Sequence, residues 1–97
     1  MQQKVSKIVW TRQARLSLNN ILDYRYKDIP KARKIVRADI VNASKSITFP
    51  KQFPPDNINP HFRKILVRDY KILYKNHKTN IFIMNVVCIL AESENLK

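Results

Sequence analysis

Glycine is missing altogether from the 97 residues of this chain, where about 7% is usual. Its absence excludes loops that cradle phosphate on bare backbone, whether Gly-x-Gly or Walker-type. It also removes the usual occupant of tight turns, so Asn, Asp or Pro are expected to make them. Cys88 is the single cysteine. An intramolecular disulfide and a cysteine-rich zinc site are therefore both excluded, and in its apolar run the thiol reads as a small buried hydrophobe. His61 and His77 stand far apart with no clustered carboxylates, so no metal site is expected. No apolar stretch reaches the ~20 residues that span a bilayer, and the polar residues 1–7 lead into no secretory apolar region. These absences point to a reducing, cytoplasmic setting with no membrane, cofactor or small-molecule ligand.

Acidic residues are also scarce. Seven Asp and Glu stand against nineteen Lys and Arg, a formal net charge of +12. A field of that sign attracts nucleic acid, acidic protein segments or anionic membrane. The apolar fraction, 44%, suffices for a packed core, and the length suits a single domain over residues 1–97.

Residues 4–10, with Val5, Ile8, Val9 and Trp10, read as a first strand. Thr11 is a fitting N-cap for a helix in which Ala14, Leu18, Ile21 and Leu22 form one apolar stripe. Pro30 suits the first turn of a second helix. There Ala32, Ile35, Val36, Ile40, Ala43 and Ile47 fall within one arc, opposite Lys31, Arg33, Lys34, Arg37 and Lys45. Asp39 lies inside the apolar arc, where a carboxylate needs an ion-pair partner. Four prolines make residues 49–60 a connecting loop, ordered by Phe49 and Phe53. Segments 62–67, 70–75 and 80–90 have strand character and are separated at hairpin spacing. The last is apolar on both alternations, which predicts a central strand covered on both faces. Tyr70 and Tyr74 read as core, and the tail from residue 92 is polar. The expected fold is α+β: an N-terminal strand, a helical hairpin, then three antiparallel strands forming a small sheet.

Ile8-Val9-Trp10-Thr11, leading into Ala14 and Leu18, resembles the opening of the RelE/ParE toxin superfamily. The run from Arg63 through Ile65, Val67 and Tyr70-Lys71-Ile72-Leu73-Tyr74 is similar to that family's central hairpin. The likeness spans about residues 7–90. It implies the toxin of a type II toxin–antitoxin (plasmid stabilization) system, which inhibits growth until a cognate acidic antitoxin neutralises it. RelE-like members cleave messenger RNA on the ribosome, and ParE-like members inhibit DNA gyrase.

RNA cleavage needs cations around the scissile phosphate and groups that exchange protons. By position in the resembled motif, Arg63 matches the first hairpin cation and Lys71 the cation after the hairpin tyrosine. These two are the candidate catalytic residues. Ile65 stands where a second strand lysine would be expected, and no Arg or Tyr follows Lys78, unlike the RNA cleavers. The departure favours the gyrase-directed branch. A ribosome-dependent mRNA endoribonuclease and a non-toxic basic nucleic-acid-binding domain are the alternatives.

Arg12 and Arg15 oppose the dipole of the first helix by about 0.3–1 kcal/mol each. Local stability does not explain them, so with Lys64 and Arg68 they are candidate contacts to target or antitoxin. For Arg68 the plain reading is a solvated turn residue. For Arg63 it is an ion pair with Asp69, Glu92 or Glu94.

Overall fold

One threonine joins the first strand, the first helix and the sheet. In the computed structural model, which describes residues 3–90, Thr11 is extended and its Oγ1 accepts from the Ala14 amide at 3.2 Å. The same hydroxyl donates to the Ile83 carbonyl at 2.7 Å. The expected N-cap is thus present, and it also fastens the helix start to the sheet.

The elements run β1 (Lys7–Trp10), α1 (Arg12–Tyr26), α2 (Pro30–Ser44), β2 (Arg63–Val67), β3 (Tyr70–His77) and β4 (Asn80–Cys88). The polar tail from residue 92 lies outside the described residues. The sheet order is β1-β4-β3-β2. Strands β2, β3 and β4 are antiparallel neighbours, as expected, and β1 joins the far edge parallel to β4.

One sheet face meets both helices. Ala14, Leu18 and Leu22 from α1 and Val36 and Ile40 from α2 bury there against Ile65, Tyr70, Ile72, Tyr74, Ile81, Ile83 and Val86. Ile21 packs at the margin. Burying each of the Val, Leu and Ile side chains among them contributes about 1.5–3 kcal/mol.

The register explains the apolar pattern of β4. Leu73 pairs with Asn85 but Tyr74 pairs with Ile83, leaving Met84 as an extra residue at a bulge. Below the bulge Ile81 and Ile83 face the helices, and above it Val86 does. One inward face therefore uses both alternations, because a single inserted residue reverses the side-chain parity. Strand β4 is central, as expected. Its second face is only partly covered, with Phe82, Met84 and Val87 half-buried.

Other local expectations need correction. Helix α2 ends at Ser44. Ile47 is buried from the turn that follows, not from the helix. Ile35 is 49% exposed, because the buried line runs Val36, Ile40, Ser44 and places Ile35 beside it. The left-handed turn positions are held by Arg68 (φ 53°) and Lys78 (φ 55°), not by Asn, Asp or Pro. In each two-residue turn the first residue must take positive φ, at a cost of roughly 1–2 kcal/mol for a residue with a Cβ.

Candidate functional site

The proline-bearing segment decides the fate of the two expected catalytic cations. Pro54 accepts from the Lys64 amide at 3.0 Å and the Asp56 amide donates to the Phe62 carbonyl at 2.8 Å, so the segment adds a short bridge to the free edge of β2. Such a bridge covers backbone groups that would otherwise pair with another chain. From this edge Phe53 and Asp56 reach different targets on β3.

Phe53 stands edge-on to Tyr74 at 6.4 Å, which bears out its ordering role. Its carbonyl accepts from Arg63 Nη1 at 2.6 Å. Arg63 therefore braces the loop, and among the described residues it has no carboxylate partner such as Asp69. The proposed partners Glu92 and Glu94 lie outside the described residues. Tyr74 is buried beside it, donates to the Pro50 carbonyl at 3.1 Å, and has its pKa raised by burial.

Asp56 meets Lys71, with Oδ1 2.6 Å from Nζ. Lys71 is 4% exposed and Asp56 2%. Burial pushes the Asp56 pKa up, but the hydrogen bond from Lys71 and the Asn59 amide outweigh it, leaving the carboxyl below its usual range. Lys71 was expected as a cation presented to a phosphate. Its ammonium is instead enclosed with a carboxylate, because the loop folds over the face that Lys71 occupies. Asp56 carried no signal in the sequence beyond following two prolines.

Arg68 is an exposed turn residue, as its plain reading has it, and it also carries an ion pair. Its guanidinium holds Asp39 through Nη2 at 2.6 Å and Nε at 2.7 Å, so it is the missing partner of the carboxylate in α2. Both groups are nearly half exposed, which makes this a surface clasp between α2 and the β2–β3 turn. Lys64 is half-buried on β2.

Arg12 and Arg15 are exposed on α1. Arg15 and Arg37, on facing helices, line a groove of 180 Å³ together with Trp10, Leu18, Asn19 and Val41. The Trp10 indole N–H is spent on Ser44 Oγ at 3.2 Å, so Trp10 joins Leu18 and Val41 as apolar lining and Asn19 is the uncharged polar side chain among them. Two guanidinium groups over apolar carbon suit a segment carrying both carboxylate and aliphatic side chains.

A further cluster at the end of α1 was missed by sequence reasoning. Arg25 lies 3.6 Å from Asp69 and stacks over Tyr26 and Tyr70, 5.9 and 5.6 Å from the ring centroids. Burial and the nearby Tyr26 hydroxyl push the Tyr70 phenol up to about 12. Cys88 packs against the core and accepts from Arg25 Nη1 at 3.9 Å. The tyrosine spacing was legible, but the convergence of α1, β3 and β4 was not.

Among the described residues no group of three or more His, Cys, Asp or Glu is placed to hold a metal ion. No described helix is long and apolar enough to cross a membrane.

Two helices on one face of a four-stranded mixed sheet, with β1 parallel at the edge, make an α+β fold. The fold is shared with a chain from the chromosomal ParDE TA system of P. aeruginosa, with a TM-score of 0.69. The likeness covers 88% of this chain and 96% of that one at 18% sequence identity. No family model and no curated protein sequence matches the chain.

Proposed function

We propose that this protein is the toxin of a type II toxin–antitoxin system, and that it inhibits growth by binding DNA gyrase. The observation that carries the reading is the fold shared with the ParDE chain over nearly the whole length of both. The sequence motifs of the first strand and central hairpin support it independently. The gyrase branch is favoured over RNA cleavage by what happens to the two motif cations. Arg63 is drawn to a loop carbonyl through one of its N–H groups and Lys71 is enclosed with Asp56, which counts against the two acting together on a scissile phosphate. An oxyanion-stabilising cation acts only where it can reach the developing charge.

The neutralising partner in this reading is an acidic segment docked in the groove between α1 and α2. Arg15 and Arg37 would take its carboxylates, Trp10, Leu18 and Val41 its apolar side chains, and Arg12 would extend the basic rim.

Induced expression in a bacterial host tests the reading. Growth should stop, reporter plasmids should lose negative supercoiling, and messenger RNA should remain intact. Purified protein should inhibit supercoiling by purified gyrase. Codon-positioned mRNA cleavage with normal supercoiling would move the protein to the ribosome-directed branch, and unimpaired growth would remove the toxin reading.

A further inference from the structure

Two exposed carboxylates, Asp39 and Asp69, lie at one end of the sheet. Asp69 lies in the β2–β3 turn and pairs with Arg25 of α1, and Asp39 pairs with Arg68 of that turn, whereas Asp23 is engaged by Arg33 of α2. The opposite end of β3, roughly 25 Å away at 3.4 Å per residue, is built from residues 3–8, 45–52 and 74–82. Those three segments contain no Asp or Glu. They contain Lys4, Lys7, Lys45, Lys51, Lys75 and Lys78.

A cavity of 440 Å³ opens at this end, lined by Gln3, Pro50, Lys51, Asn76, Lys78 and Thr79. Its walls are fastened to each other. Val5 N–H donates to the Thr48 carbonyl at 2.8 Å and Ser6 N–H to the Thr79 carbonyl at 2.9 Å. The Ser6 and Thr79 hydroxyls meet at 2.7 Å, and Asn76 Nδ2 holds the Lys78 carbonyl at 3.0 Å. Gln52 ties the neighbouring turn through Thr48 and Phe49. The lysines thus rise from a braced frame, at an end where no described carboxylate competes for them.

We propose that this cleft binds the phosphodiester backbone of nucleic acid, with Lys51 and Lys78 as the principal phosphate contacts. The lining discriminates among polyanions. An acidic peptide draws much of its affinity from apolar anchors, and a membrane surface requires apolar side chains that insert. Apart from Pro50 the lining has no aromatic or large aliphatic side chain to serve as an anchor; its residues end in amide, hydroxyl or ammonium groups carried on carbon stems. Nucleic acid needs no more, since displaced counterions alone drive non-specific binding, at Kd on the order of 10⁻⁴–10⁻⁶ M. The proposal rests on no part of the toxin reading and stands or falls separately from the gyrase assay.

The test is fluorescence anisotropy with a labelled 20-base-pair DNA duplex and a labelled single-stranded RNA of the same length, across a salt series. At least one should bind with a steep salt dependence. Lys51→Glu with Lys78→Glu should weaken binding at least ~10-fold and flatten the log–log salt slope by about 2, near 0.9 for each lost DNA phosphate contact. Lys31→Glu with Lys34→Glu, the same charge change on the exposed face of α2, should weaken it only about twofold. A second cleft pair, Lys51→Gln with Lys78→Gly, removes both charges while suiting the positive φ of the turn, and should also lose binding. Equal losses from the cleft and α2 variants would overturn the proposal by showing a general charge effect. So would failure of the wild type to bind either probe at low salt, or equal displacement by polyglutamate of matched charge.

Discussion

Lys71 and Asp56 face each other at 2.6 Å, and neither side chain is more than 5% exposed. The lysine arrives on β3, and the carboxylate arrives from the loop bridged to the edge of β2. Enclosing two charges is costly, and their attraction offsets that cost only while both are present. Removing one leaves the other buried alone. Lys71→Met or Asp56→Leu should each destabilise by roughly 3–5 kcal/mol, whereas the double variant should recover most of the loss. Urea melts of the three variants provide the cycle. Equal, additive losses would show that the two charges are not coupled.

The same pair sets an acid limb. Because the folded Asp56 carboxyl lies below its usual range, the unfolded chain binds the proton more readily. Its contribution is fully present above the unfolded pKa of about 3.9 and is lost as pH falls through the lower folded value. Stability measured from pH 6 to pH 2 should fall less steeply in Asp56→Asn than in the wild type.

At alkaline pH the sign reverses. Tyr70 is raised to about 12, so its contribution is present below the unfolded value of about 10 and lost as pH rises toward 12. Spectrophotometric titration should show late tyrosine ionisation from Tyr70 and Tyr74, and Tyr70→Phe should remove one tyrosine's worth of it.

The two positive-φ turns should answer glycine differently. Lys78→Gly relieves roughly 1–2 kcal/mol of backbone strain, offset in part by the greater freedom of the unfolded chain, and should raise Tm. Arg68→Gly relieves the same strain but loses the clasp to Asp39, worth about 0–1 kcal/mol at such exposure, and should raise Tm less. Calorimetry of the two variants checks the ordering.

Arg63 should behave as a structural residue. Arg63→Ala loses a charged hydrogen bond to the Phe53 carbonyl, about 1.5–3 kcal/mol, and frees the loop that carries Asp56. Its Tm should fall in step with any loss of growth inhibition. A non-toxic variant with an unchanged melt would instead make Arg63 a direct contact to the target.

What is local could be read from the residues alone: the N-cap at Thr11, the proline that starts α2, the apolar stripe of α1 and the Val36–Ile40 part of that of α2, and three strands at hairpin spacing. Each depends on a few neighbouring residues and on the fixed periods of helix and strand. The sequence also determined the basic excess, which no fold can alter. Tertiary structure alone decided where each charge goes. Asp39 had to wait for Arg68, 29 residues away, and Lys71 for a carboxylate in a proline loop. Parallel pairing joined β1 to β4 across more than sixty residues of chain. The bulge at Met84 belongs with these, because only pairing against β3 reveals which residue is extra. The physical reason is range. Helix and strand periods repeat over a few residues, but a salt bridge or a strand pairing depends on distance in space, which chain separation does not encode.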